Sequence, residues 1–172
     1  VKEGGIVFGG MITPEVRKIF EGRKADVIDY AAREEFAVLN AVATAEGAIQ
    51  VAMEELATTL SGRKILILGA GRIAKVLIDA LSGFHTRITV AARKCSDLAW
   101  ARVYGCESVP IGGMDCLPGD FDIIFNTVPA VILDEKRLKM LRPGCLVIDL
   151  ASKPGGVDFE TAGMLGVKTV WL

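Results

Sequence analysis

The sequence predicts an α/β fold with a doubly wound parallel sheet, and three observations predict it. Short all-apolar runs such as KILILGA (residues 64–70) read as strands buried on both faces. From Ser61 to the last residue these runs alternate with helical segments, the pattern of parallel strands joined by right-handed crossovers. The first of them runs into Gly69-Ala70-Gly71-Arg72-Ile73-Ala74, a G-x-G-x-x-A turn that opens a helix, as in a Rossmann domain.

The elements follow in order. Residues 1–40 hold an apolar run, GGIVFGG, then Thr13-Pro14 as a helix start, a short helix to about Glu21, and ADVIDY as a strand. This is α/β material too small for its own core, and it reads as the remnant of an N-terminal substrate lobe. Residues 41–60 form an interdomain helix. Ala45, Ala48, Ile49, Ala52, Met53 and Leu56 recur at three- and four-residue intervals, with Thr44 as its N-cap and Gly47 as the one breaker. Residues 61–172 form the Rossmann domain. After KILILGA come the helix GRIAKVLIDALSG, the strand RITVAA, the helix CSDLAWARVYG and the short strand ESVPI. Then come the strand FDIIFNTVP, the helix DEKRLKMLRPG, the strand CLVIDLAS, the short helix VDFETAGMLG and the strand KTVWL.

Composition narrows the function classes. The 172 residues are 51% apolar and 24% charged, a globular balance. Lys+Arg is 20 and Asp+Glu is 21, which argues against a general nucleic-acid or membrane-surface binder. No apolar run is expected to reach the roughly 18–20 residues of a membrane span, and no secretion signal is visible. The four cysteines, Cys95, Cys106, Cys116 and Cys145, lack C-x-x-C spacing and have one histidine, His85, for company, so no metal site is expected. Free thiols in a reducing cytoplasm are the expected state. The chain begins on Val1 and stops on a strand, so segments before and after it are expected in the natural protein.

The glycine turn carries the chemistry. Gly69 permits the tight turn, Gly71 lets a pyrophosphate approach the backbone, and Ala74 lets helix and strand pack closely. Ala70, Arg72 and Ile73 complete a cofactor cradle whose helix N-terminus favours phosphate. The turn leaves open a Rossmann-like domain for another nucleotide-like ligand, such as a methyl donor, or for none. The end of the second Rossmann strand sharpens it. An acidic residue there would accept the adenosine ribose hydroxyls and repel a 2′-phosphate. This chain has Ala92, followed by Arg93 and Lys94, which favours NADP(H) over NAD(H). At the carboxyl ends of later strands, Asn126, Thr127, Val128 and Pro129 suit the nicotinamide ribose. Asp149, Ser152 and Lys153 fall where the nicotinamide ring is expected, and Pro154-Gly155-Gly156 lets backbone approach a ligand. His85 falls at the opposite edge of the sheet, so histidine acid–base catalysis is not expected. The catalytic residue is unassigned; Glu34, Glu35 and Glu46 are nearby carboxylates, and a solvated face explains the first two.

Taken together, NAVATAEGAIQVAMEE, ILILGAGRIAKVL, VAARKCSDLAWARVYG, IIFNTVP and LVIDLASKPGGVDF resemble the family of dipicolinate synthase A subunits from about residue 34 to the end. The T-A-E-G helix is also similar to that of two-lobed D-2-hydroxyacid and alanine dehydrogenases. The resemblance implies an NADP-dependent oxidoreductase subunit that forms pyridine-2,6-dicarboxylate from a dihydro- or hydroxytetrahydro precursor. It implies a flavoprotein-like B subunit as partner, a homo-oligomer, and the mother-cell cytoplasm of a sporulating bacterium. It implies that Gly69, Gly71, Arg72 and Ile73 hold the pyrophosphate and that Arg93 and Lys94 take the 2′-phosphate. Asn126 to Pro129 with Ala151 and Ser152 would line the nicotinamide, while Lys153 and the Pro154–Gly156 turn would face a small dicarboxylate substrate. The chain departs from the family in lacking most of the first lobe and the closing segment, and in having Ala74 for the third turn glycine. Two alternatives stand beside this reading: a shikimate- or alanine-dehydrogenase-like reductase of another small acid, and a non-catalytic NADP-sensing domain.

Overall fold

The computed structural model describes residues 1–172, which divide into two compact units, Val1–Ala41 and Val42–Leu172. In the first unit, β1 (Ile6–Gly9) and β2 (Asp26–Asp29) pair in parallel around α1 (Pro14–Glu21). Thr13 caps α1 by accepting the Val16 amide, and Pro14 follows at the first helical position, where its missing N–H costs nothing. The Asp29 carboxylate accepts the amides of Ile12, Met11 and Ala31; chiefly the Ile12 bond holds its carboxyl below the ordinary aspartate value.

Helix α2 spans Glu34–Glu55, so it starts earlier than the expected helix over 41–60 and ends sooner. Thr44 lies inside it and is not its cap. Residues 34–43 contain no breaker, and Glu34 and Glu35 in the first turn suit the positive end of the helix dipole. The expectation about apolar length is corrected too: with 22 residues and a mean hydropathy of 1.4 over its most apolar window, α2 is long and apolar enough to cross a membrane. Its fully buried residues Ala45, Ala48 and Ala52, with Ile49, join the core of the second unit. Met53 is 44% exposed and does not share that face.

The second unit is the predicted doubly wound fold. It runs through β3 (Lys64–Leu68), α3 (Arg72–Ser82), β4 (Arg87–Ala92), α4 (Cys95–Val103) and β5 (Glu107–Pro110). A 3-10 turn over Ile111–Cys116, absent from the sequence reading, leads to β6 (Ile123–Asn126), α5 (Glu135–Leu138), β7 (Leu146–Asp149), α6 (Phe159–Met164) and β8 (Lys168–Trp171). The helix expected over DEKRLKMLRPG shrinks to the short α5, capped by Asp134 on the Arg137 amide. The sheet order is β5-β4-β3-β6-β7-β8, all parallel, and the chain reverses its direction of growth between β3 and β6.

The apolar runs are explained by two cores, one on each face. Ile65 and Ile67 of β3, Ile123 and Phe125 of β6, and Leu146 and Ile148 of β7 pack with Ala74, Leu77, Ile78 and Leu81 of α3. The alternate residues Leu66, Leu68, Ile124 and Val147 pack on the other face with Leu138 and Ala162. Successive strand side chains point to opposite faces, so a sheet covered on both sides makes every position apolar. The four cysteines are free; Cys95 and Cys116 are exposed, while burial pushes the Cys106 thiol up and that of Cys145 up to about 12.

Helix α6 provides a test of pH dependence. Asp158 caps it, accepting the Thr161 amide at 3.0 Å and the Thr161 hydroxyl at 2.8 Å. Those bonds, the amide first, hold its carboxyl below the ordinary 3.8. A depressed carboxylate contributes stability that is present above pH 3.8 and is lost as pH falls through the lowered folded value. Phe159, the first residue of α6, stacks on Trp171 with centroids 5.3 Å apart. With Trp100 replaced by Phe to leave one emitter, acidification is expected to fray α6 and change Trp171 fluorescence. Asp158→Asn keeps a capping oxygen without a titrating group and should blunt that change; equal changes in both chains would dismiss the cap as its source.

Candidate functional site

All six strands of the large sheet run the same way, so β3, β4, β6 and β7 end at one edge, where the strand order reverses. Ligands in open parallel sheets lie at this position. The glycine turn leaves β3 there. The Gly69 amide donates to Ala91 O of β4 at 2.8 Å, and the Thr127 amide and hydroxyl both donate to Leu68 O, at 2.9 and 2.8 Å. Gly69 has φ +98°, and a Cβ on it would lie 2.3 Å from Thr127 Oγ1, so only glycine fits.

Beyond the turn the backbone is open. Gly71 is the N-cap of α3 and offers no side chain to the helix's first amides. Apart from its two chain neighbours, a Cβ built on Gly71 meets no atom within 4 Å, so the helix terminus has room at this position. Arg72 is exposed, Ile73 and Ala70 are half-buried, and Ala74 is fully buried against the sheet. This arrangement fits a dinucleotide pyrophosphate: the positive end of an eleven-residue helix, with no side chain on its capping residue. At the end of β4, Ala92 is 2% exposed, while Arg93 and Lys94 are exposed and lead into α4. No carboxylate occupies the end of that strand, and two cations follow it.

The loops after β6 and β7 differ from expectation. Asn126 and Asp149, expected beside the nicotinamide, are both fully buried and face each other. Asn126 Nδ2 donates to Asp149 Oδ1 at 2.7 Å and to Val128 O at 3.0 Å, and Asn126 Oδ1 accepts the Val128 amide. Asp149 accepts two further amides, Ala151 on Oδ1 at 3.0 Å and Gly156 on Oδ2 at 2.7 Å. Buried amide and carboxylate groups must be satisfied internally, and these two satisfy each other. The Gly155-Gly156 backbone, expected to approach a ligand, is buried and instead approaches the protein. A Cβ on Gly156 would lie 2.1 Å from Asn126 Nδ2 and 2.6 Å from Val128 O. Ala151 is buried as well, whereas Thr127 and Val128 are half-buried and Pro129, Ser152, Lys153 and Pro154 are exposed.

Trp171 was missed in the sequence. Its indole Nε1 donates to Ala151 O at 2.9 Å, and its ring stacks on Phe159, so it braces the loop that carries Lys153. Its β8 position pairs with Asp149 in register, a relation that only strand pairing reveals. His85, with φ +56°, lies exposed between α3 and β4, at the amino edge as expected. Two recesses lie away from the nucleotide edge. One of about 480 Å³ is lined by residues of α2 and α3, with Phe84, and one of about 520 Å³ by Lys64, Arg87 and Glu107 at the amino edge. The chemistry of the carboxyl edge marks it as the candidate site.

The chain has clear relatives. The profile of the family described as D-isomer specific 2-hydroxyacid dehydrogenase, NAD binding domain, matches residues 30–154. The chain is 28% identical to the A subunit of dipicolinate synthase from Bacillus subtilis (strain 168) over 165 residues, covering 96% of this chain and 56% of that protein. It is 33% identical over 95 residues to the shikimate dehydrogenase (NADP(+)) of Halorhodospira halophila (strain DSM 244 / SL1), covering 53% of this chain and 35% of that protein. The crystal structure of the Bacillus subtilis dipicolinate synthase A chain superposes with a TM-score of 0.88 at 28% identity, covering 97% of this chain and 56% of that one. That of its counterpart from Bacillus halodurans, also an A subunit of dipicolinate synthase, gives 0.87 at 28% identity, with 97% and 58% covered. The chain thus spans little more than half the length of the dipicolinate synthase subunits it matches.

Proposed function

The chain belongs to the D-isomer specific 2-hydroxyacid dehydrogenase NAD-binding domain family, and from that premise we propose that it is the nucleotide-binding part of an NADP-dependent dipicolinate synthase subunit. One observation carries the cofactor reading: an open glycine turn at the α3 N-terminus beside a β4 end where Ala92-Arg93-Lys94 replaces an acid. A guanidinium grips a phosphate through paired N–H donors, and the absent carboxylate removes the repulsion a 2′-phosphate would meet. Similarity to shikimate dehydrogenases (NADP(+)) supports the same preference.

The substrate reading rests on the similarity to the A subunit of dipicolinate synthase over nearly the whole chain. Bound NADP⁺ supplies the hydride acceptor. The chain's own part is position and charge. Thr127 to Pro129 and Ala151 to Ser152 would bound the nicotinamide side. Lys153, exposed at the tip of its loop, would meet a carboxylate of the dicarboxylate substrate. Dihydrodipicolinate would lose one hydride to the cofactor and one proton to water or a base, and aromatisation of the ring drives the step. A flavoprotein-like B subunit as partner, a homo-oligomeric state and the mother-cell cytoplasm of a sporulating bacterium belong to the same reading. The similarity to shikimate dehydrogenases favours a second one, a reductase of another small acid.

Fluorescence titration with NADPH and NADH tests the cofactor, and tighter binding of NADH would reject it. Reduced-nicotinamide absorbance with fresh dihydrodipicolinate, with and without a candidate flavoprotein-like partner, tests the reaction. NADPH binding without turnover under both conditions would favour the sensing alternative.

A further inference from the structure

The two ligand-facing loops are tied together at two levels. At their bases, the fully buried Asp149 carboxylate gathers three N–H donors: Asn126 Nδ2 from the end of β6, and the amides of Ala151 and Gly156 from its own loop. Farther along, Gly156 O accepts the amides of Ile132 and Leu133 at 2.9 and 3.0 Å, and Leu133 and Val157 form a parallel bridge. Gly155 leaves no room for a side chain between Asp149 Oδ2, at 2.9 Å from a built Cβ, and the rings of Trp171 and Phe159. Between these clamps only the loop tips, Pro129 to Val131 and Ser152 to Pro154, are exposed.

A buried carboxylate whose only side-chain partner is an amide of the neighbouring strand adds little that an apolar pair would not supply to the core. It does make the geometry of one loop depend on the other. We propose that Asp149 is a positioning residue: through Asn126 it locks residues 126–129 to residues 151–156 and so sets where the nicotinamide half of the cofactor rests. This rests on the reading of the site as a nicotinamide dinucleotide site. The adenosine half, at Gly71 to Ile73 and Arg93, lies on other elements, and of the glycine turn only Gly69 borders the latched loop, at Thr127.

Binding of NADPH and of 2′,5′-ADP, which carries only the adenosine half and its 2′-phosphate, separates the possibilities. In Asp149→Ala and Asp149→Asn chains, 2′,5′-ADP is expected to bind as in the unsubstituted chain, while NADPH weakens by about tenfold because loop ordering is then charged against binding. Equal weakening of both ligands would reduce Asp149 to a scaffold residue, and no change in either would also overturn the proposal. If the unsubstituted chain binds neither ligand, the cofactor reading fails and the latch falls with it as a positioning device. Should both variants fail to fold, hydrogen exchange on the unsubstituted chain decides. The Val128, Ala151 and Gly156 amides should gain protection together when NADPH binds and stay unchanged with 2′,5′-ADP; protection of one loop without the other would overturn the latch.

Discussion

Replacing Arg93 by Asp is expected to weaken NADPH binding by about a hundredfold while NADH binding changes by less than about threefold. The reason lies in what the end of β4 offers. Ala92 is buried, so the first side chains to face a ligand there are Arg93 and Lys94. Loss of a guanidinium–phosphate contact removes one charge-assisted bidentate interaction, and the new carboxylate adds repulsion of a dianionic 2′-phosphate. NADH carries no such phosphate and gains a partner for its ribose hydroxyls from the same Asp. Parallel fluorescence titrations measure both. Equal shifts for the two cofactors would show that Arg93 does not read the 2′-phosphate, and a larger effect of Lys94→Asp would reassign the grip to its neighbour.

Two glycines at the same edge should fail in opposite ways. Gly71 has φ −76° and ψ −165°, extended backbone open to alanine, and a Cβ there meets no atom of the chain. Gly71→Ala is therefore expected to leave the urea midpoint within about 0.5 kcal/mol of the parent, yet to lower NADPH affinity by at least about tenfold, because the methyl group stands where the pyrophosphate approaches. Gly156→Ala places its methyl group 2.1 Å from Asn126 Nδ2 and 2.6 Å from Val128 O, inside a buried network. Neither neighbour can withdraw without breaking a hydrogen bond, so a loss of about 3 kcal/mol in stability is expected. Urea unfolding and NADPH titration of both chains check the contrast. A destabilised Gly71→Ala chain, or a Gly156→Ala chain of parental stability, would contradict it.

What could be read from the sequence was what short stretches determine. The turn from Gly69 to Ala74 is local, and its surroundings on both sides are local too. The strands were visible because a sheet covered on both faces leaves Ile65 to Leu68 and Ile123 to Phe125 no polar position. The start of α2 was hidden because residues 34–43 have the same texture as those after them, and Thr44 has a cap's chemistry without a cap's position. The roles of Asn126 and Asp149 were hidden for a different reason. Both looked like ligand-facing polar residues at strand ends, but their inward orientation follows from the register that sets Asn126 against Asp149 across β6 and β7. Trp171 was invisible for the same cause. Pairing across strands is a long-range fact, and the contacts that shape the second half of the site are of that kind.

The Asn126–Asp149 pairing also bears on how such a site can diversify. Because Asn126 holds the loop after β6, Asp149 holds the loop after β7, and the two side chains are bonded to each other, substitutions in the two loops are coupled, and their effects will not add. A loop taken alone from a relative would arrive without its counterpart, leaving a buried amide or carboxylate unanswered. Exchange of these loops is therefore expected to succeed only as a pair, whereas the Arg93-Lys94 corner, on another element, can be exchanged on its own.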